Sequence, residues 1–158
     1  MSEPAHQVLV VGVGNLLMAD EGVGVHGANA LQGVPLPPHV RVMECGTNLM
    51  AIAPHVAGLG TLIIIDAVRT GSAPGSLHRF SYEEIERAPA GLRFAHQVNL
   101  ISSLRLLRAA DPSFSTARVV LLGVEPKAIE PSLELSDEVR EAMPALIEAV
   151  RAEVALEH

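Results

Sequence analysis

The residues of this chain best placed to do chemistry are carboxylates that follow apolar, strand-like runs. Asp66 closes Thr61-Leu-Ile-Ile-Ile-Asp66, and Asp20-Glu21 follow the glycines that end Val8-Leu-Val-Val-Gly-Val-Gly14. A carboxylate at the end of a buried strand must be hydrogen-bonded, charge-paired or metal-bound, because burying it bare is costly. Two such groups held together call for a cation between them or a shared proton. Each also has a plainer use. Acids in the first turn of a helix stabilise its N-terminus, which fits Asp20 and Glu21, and Asp66 can accept backbone N–H bonds from the loop that follows it. Both uses stay open on the sequence alone.

A third donor is harder to choose, because the chain has seven histidines. His6 falls in the N-terminal tail, His39 in a proline-rich connector, His55 near a helix end and His78 in a short edge strand. His26 follows Glu21 by five residues within a helix and so points off its face. His96 lies in a loop entering a helix, within reach of the sheet mouth, but spacing does not select it. There is no H-E-x-x-H zinc-peptidase helix and no G-x-S-x-G nucleophile elbow. Cys45, the one cysteine, reads as a small hydrophobe beside a buried strand rather than a nucleophile.

The elements that would carry these groups are legible in the hydrophobic pattern. Strands are expected at Val8–Val13, Val40–Cys45, Thr61–Asp66 and Ala117–Val124, with a short edge strand at Ser76–Phe80. Helices are expected from Gly22 to Leu31, from Asn48 to Val56, and along Leu100, Leu104 and Leu107. Pro89 to His96 and Glu125 to Glu134 read as loops. Ser136 suits the N-cap of a last helix marked by Val139, Met143, Ile147 and Val150, which Pro144 should kink or split. Strands alternating with helices imply a mainly parallel sheet covered on both faces. In such sheets ligands bind outside the carboxyl ends of the strands, near Glu21 and Asp66.

Composition excludes several classes. The 158 residues fit one domain, 1–158, with 49% hydrophobic and 18% charged residues. Aromatics are only 3%, so the core is aliphatic. A net charge of −7, from 18 acidic and 11 basic residues without a basic cluster, argues against nucleic-acid partners. No apolar run approaches the ~20 residues of a membrane helix, and Met1-Ser-Glu-Pro-Ala-His-Gln7 lacks the basic region of a secretory signal. A cytoplasmic monomer is the expectation, with Leu156-Glu157-His158 read as an expression-tag stub. Gly12-Val-Gly14 with Glu44 offers a Rossmann-like nucleotide-binding reading. Against it, the third glycine position holds Leu17, and Asp20 and Glu21 stand where a pyrophosphate would lie.

Taken in order, the blocks resemble a known family. Gly12-Val-Gly-Asn-Leu-Leu-Met-Ala-Asp-Glu-Gly-Val-Gly24 is similar to the N-terminal G-x-G-N-x-L-x-x-D-[DE] stretch of nickel–iron hydrogenase maturation endopeptidases. Glu44-Cys-Gly-Thr47, Ile64-Ile-Asp-Ala67, Ala73-Pro-Gly75, His96-Gln97 and Leu122-Gly-Val-Glu-Pro126 continue it in order. The resemblance implies a three-layer α/β/α sandwich around a twisted, mainly parallel sheet. It also implies a nickel-dependent hydrolase that removes the C-terminal extension of a hydrogenase large-subunit precursor after nickel insertion. The family's metal-binding trio falls on Glu21, Asp66 and His96, and the nickel is expected to arrive in the precursor. Either Asp20 or a ligand carboxylate would act as base. A chaperone that grips the nickel centre without cutting is the alternative from another class. One block departs: the usual Asp-Gly-Gly-Thr is Glu44-Cys45-Gly46-Thr47 here, which puts a direct role for Glu44 in doubt.

Overall fold

In each strand successive side chains face opposite sides of the sheet, and in this chain both sides are apolar. The computed structural model describes residues 7–88, 93–94 and 97–156. The tails and His96 lie outside the described residues. The strands are β1 (Gln7–Val13), β2 (Val40–Gly46), β3 (Leu59–Arg69), β4 (Leu77–Ser81), β5 (Arg93–Phe94) and β6 (Arg118–Val124). The helices are α1 (Val23–Leu31), α2 (Tyr82–Glu86), α3 (Gln97–Ala110) and α4 (Asp137–Ala155), with short 3-10 turns at Ala19–Gly22, Leu49–His55 and Pro112–Phe114.

The main sheet runs β2-β1-β3-β6-β4. Its first four strands are parallel; β4 pairs antiparallel with β6, and β5 pairs antiparallel with the end of β3. One face sends Leu9, Val11, Leu62, Ile64, Val119 and Leu121 against the Leu49–His55 turn, α2 and α3. The other sends Val8, Val10, Ile63, Ile65, Val120 and Leu122 against α1 and α4. The chain is therefore a three-layer α/β/α sandwich, and its central strands are continuous apolar runs because both of their faces are buried.

Three features differ from the sequence expectation. First, α2 was not foreseen: Ser81 Oγ accepts from the Glu84 N–H at 3.2 Å while Glu84 Oε1 accepts from the Ser81 N–H at 2.9 Å. This capping box stabilises a helix too short to show a period. Second, β3 does not end at Asp66 but continues to Arg69, because Val68 and Arg69 pair with Phe94 and Arg93 in what reads locally as loop. Third, α4 runs through Pro144 without splitting. Pro144 and Arg140, the residue whose carbonyl loses its helical partner, are both exposed, so the missing bond is on the solvent side of the helix rather than in the core.

Candidate active site at the carboxyl ends of the strands

Glycines bring the first helix unusually close to the sheet. A Cβ added at Gly24 would stand 2.2 Å from the Val13 carbonyl oxygen and 2.3 Å from that of Ile65; one at Gly12 would stand 2.0 Å from the Gly24 oxygen. Backbone therefore lies on backbone where α1 begins, and any side chain at Gly24 would force the helix away from β1 and β3. This seats the Ala19–Gly22 turn, with half-buried Glu21, beside the carboxyl end of β3. Gly12 pairs with Ile65, so Asp66 stands one residue beyond the last β1–β3 pair, opposite Gly123 of β6. Asp66 is fully buried, and its Oδ1 accepts the Ala67 N–H at 2.8 Å. The predicted His96 lies outside the described residues, two residues after Phe94, which pairs with Val68. Among the described residues no three His, Cys, Asp or Glu side chains are grouped to hold a metal ion.

Asp20 is placed differently from the sequence expectation. It does not cap α1, whose N-cap is Gly22 and has no side-chain bond. Its carboxylate, fully buried, instead gathers the loop before α4. Oδ2 accepts from the Lys127 N–H (2.9 Å), the Ala128 N–H (2.9 Å) and Ser136 Oγ (2.7 Å), and Oδ1 accepts from the Ser136 N–H (2.8 Å). Burial works to raise the Asp20 pKa, but the bonds from Ala128, Ser136 and Lys127 outweigh it and hold the group below its usual range. An ionised carboxylate offers about four acceptor positions, two on each oxygen; three of these bonds crowd Oδ2 and one reaches Oδ1. A general base needs a free lone pair and a pKa nearer neutrality. Asp20 thus acts as a structural clip beside Glu21, and its lowered pKa makes it a weak base. The next residue back, Ala19, takes a left-handed φ of 50°, held by an N–H bond to the Ser132 carbonyl at 2.9 Å.

The family profile of the hydrogenase maturation proteases (HycI) matches residues 25–153. The Hydrogenase 2 maturation protease of Escherichia coli K12 is 33% identical over 148 residues, covering 92% of this chain and 89% of that protein. The chain belongs to the hydrogenase maturation protease family. Among solved structures, the NiFe hydrogenase maturation protease HybD from Thermococcus kodakarensis superposes with a TM-score of 0.84 at 33% identity, covering 94% of this chain and 99% of that one. The hydrogenase maturating endopeptidase HybD from E. coli gives 0.83 at 32%, covering 94% and 92%. The Azotobacter vinelandii protein HoxM, named for hydrogenase expression and formation, is 35% identical over 91% of this chain and 68% of its own length. The protein is thus a protease, and its chemistry is hydrolysis of a peptide bond.

In this maturation protease the glycine-rich turn departs from the dinucleotide pattern. Leu17, at the third glycine position of the dinucleotide pattern, is 64% exposed, and Gly24 makes the close helix–strand contact instead. Cys45 has a thiol pushed up to about 11, first by burial and then by the carboxylates of Asp66 and Glu44. At neutral pH such a thiol is protonated and a poor nucleophile. Cys45→Ala should therefore cleave substrate at a rate within about twofold of wild type, and iodoacetamide treatment should spare activity; loss of turnover in the alanine variant would overturn this.

One rim residue was missed by sequence reasoning. Glu125, just past β6 and 4% exposed, accepts from the Thr70 N–H (3.0 Å) and Thr70 Oγ1 (2.7 Å) and lies 3.1 Å from His78 Nε2. Burial acts to raise its pKa, but the Thr70 and His78 bonds prevail and keep it low. It ties β6 to β4 and to the turn after β3. Its only signal in the sequence is an acid directly after a buried strand, the same signal that singled out Asp66. His78 thus has a structural partner, as does His55, whose ring lies 3.4 Å from Arg41.

Proposed function

We propose that this protease removes the C-terminal extension of a nickel–iron hydrogenase large-subunit precursor once nickel is in place. It would work as a cytoplasmic monomer, recognising the precursor's nickel centre through Glu21, Asp66 and His96. The observation that carries the reading is the fully buried Asp66 carboxylate beside the turn that holds Glu21, at the sheet end where such folds bind ligands. Two carboxylates and an imidazole are a donor set suited to Ni²⁺. On this view nickel belongs to the substrate, and its charge polarises the scissile carbonyl or activates the attacking water. Glu21 and Asp66 fix the loaded centre, while Asp20 holds the Glu21 turn still. With the Asp20 pKa held low, the water's proton passes to a ligand carboxylate and then to the leaving amine.

The test is the mass of a hydrogenase large subunit co-expressed with this chain, with and without nickel. Loss of a C-terminal segment only when nickel is supplied is the expected result. An uncut precursor that nevertheless co-purifies with the chain would favour the chaperone reading, and cutting independent of nickel would remove the metal from the proposal.

A further inference from the structure

The rim beside Glu21 carries a concentration of bare apolar side chains. Six large hydrophobic side chains are exposed among the described residues, and Leu17 (64%), Ile129 (36%) and Leu133 (61%) lie on two loops bonded to each other. The Ser132 N–H donates to the Leu17 carbonyl at 3.0 Å, and the Asp20 N–H donates to the Ala128 carbonyl at 3.0 Å. The Asp20 carboxylate fixes the second loop through Lys127 and Ala128, so the patch has a rigid base. A single exposed leucine needs no explanation; several on adjoining, pinned loops at the mouth of a site mark a binding surface. A cleft of about 330 Å³ opens at Leu133, lined also by His26, Glu134, Leu135 and Arg140. His26 Nε2 in that cleft has no hydrogen-bond partner among the described residues.

Charge selects the occupant. The basic groups of the rim are already neutralised, Lys127 by Glu138 at 2.6 Å and Arg140 by Asp137 at 2.7 Å. Glu130 and Glu134, the neighbours of Ile129 and Leu133, have no cationic partner among the described residues. A surface of apolar side chains interleaved with unneutralised acids fits a strand of the opposite make-up. We propose that the Leu17–Ile129–Leu133 patch docks a segment of the large-subunit precursor that carries apolar side chains flanked by lysine or arginine, away from the nickel centre. The inference rests on the peptidase reading above and adds where the substrate is gripped. The contact there is made equally before and during the reaction, so it tightens binding of the precursor at the rim that carries Glu21 and Asp66 without changing the chemical step.

The test uses full-length, nickel-loaded precursor with two double variants, Leu17→Ser with Leu133→Ser and Glu130→Lys with Glu134→Lys. Because the replaced side chains are exposed, melting temperatures should stay near wild type. The leucine variant should raise KM and Kd for the precursor about tenfold, with the loss in KM rather than kcat. The charge variant should do the same and lose the salt dependence of binding. Leu106→Ser with Leu156→Ser, exposed elsewhere, is the control and should change neither. Wild-type KM and Kd in both rim variants would overturn the proposal while leaving the peptidase reading intact. If wild type itself cuts nothing, the peptidase reading fails and calorimetric Kd alone decides the docking. A dimer in sedimentation that the leucine variant dissolves would assign the patch to a second copy and overturn the proposal too.

Discussion

Asp66→Asn is expected to leave a folded protein that no longer cuts nickel-loaded precursor, with the rate down about 10³-fold or more. Asp66 is fully buried, and the Ala67 N–H bond to Oδ1 at 2.8 Å is one an asparagine oxygen can accept equally well. Shape is preserved, so melting should move little. What disappears is the negative charge, which a ligand to Ni²⁺ supplies and an amide does not. Glu21→Gln should behave alike, since Glu21 is on the turn that the Gly12–Gly24 contact presses against β3. The measurement is the time course of precursor mass, with melting followed in parallel. Normal cleavage by Asp66→Asn would mean that Asp66 only shapes the strand and that the metal-recognition reading is wrong.

What could be read from sequence divides along a physical line. Strands β1, β3 and β6 are runs of aliphatic residues buried on both faces, and that pattern is local. The start of α4 was equally local: Ser136 Oγ accepts from the Val139 N–H at 3.4 Å, as its N-cap position implies. The extension of β3 to Arg69 was not local, since it depends on pairing with Arg93 and Phe94. Asp66 was found because a charge after four buried aliphatic residues demands an explanation wherever its partners lie. The partners of Asp20 were not legible for the opposite reason. An acid shortly before a helix looks like a cap for that helix, and nothing nearby reveals that its donors lie at Lys127, Ala128 and Ser136. The choice of His96 among seven histidines came from family resemblance alone, and that residue lies outside the described structure.

Removing the Asp20 carboxylate should cost about 3 kcal/mol or more, because Asp20→Ala leaves the Lys127, Ala128 and Ser136 N–H groups without their acceptor at about 1 kcal/mol or more each. Domains of this size are stable by only about 5–15 kcal/mol, so the melting temperature should fall by roughly 10 °C. Asparagine is no rescue here. Both Asp20 oxygens accept, and every partner donates, so an amide must turn its own NH₂ toward a donor. The sign of the pH dependence follows from the lowered folded-state pKa. The stabilisation is present above the unfolded value near 3.9 and is lost as pH falls through the lower folded value. Urea titrations should therefore show a wide gap between wild type and Asp20→Ala at pH 7 that narrows below about pH 4. With Asp20 in the clip role alone, the residual cleavage of Asp20→Ala should keep the wild-type pH profile at a lower rate, the Glu21 turn having loosened. A gap under about 1 kcal/mol at neutral pH, or a cleavage profile that shifts with the substitution, would return Asp20 to the chemistry.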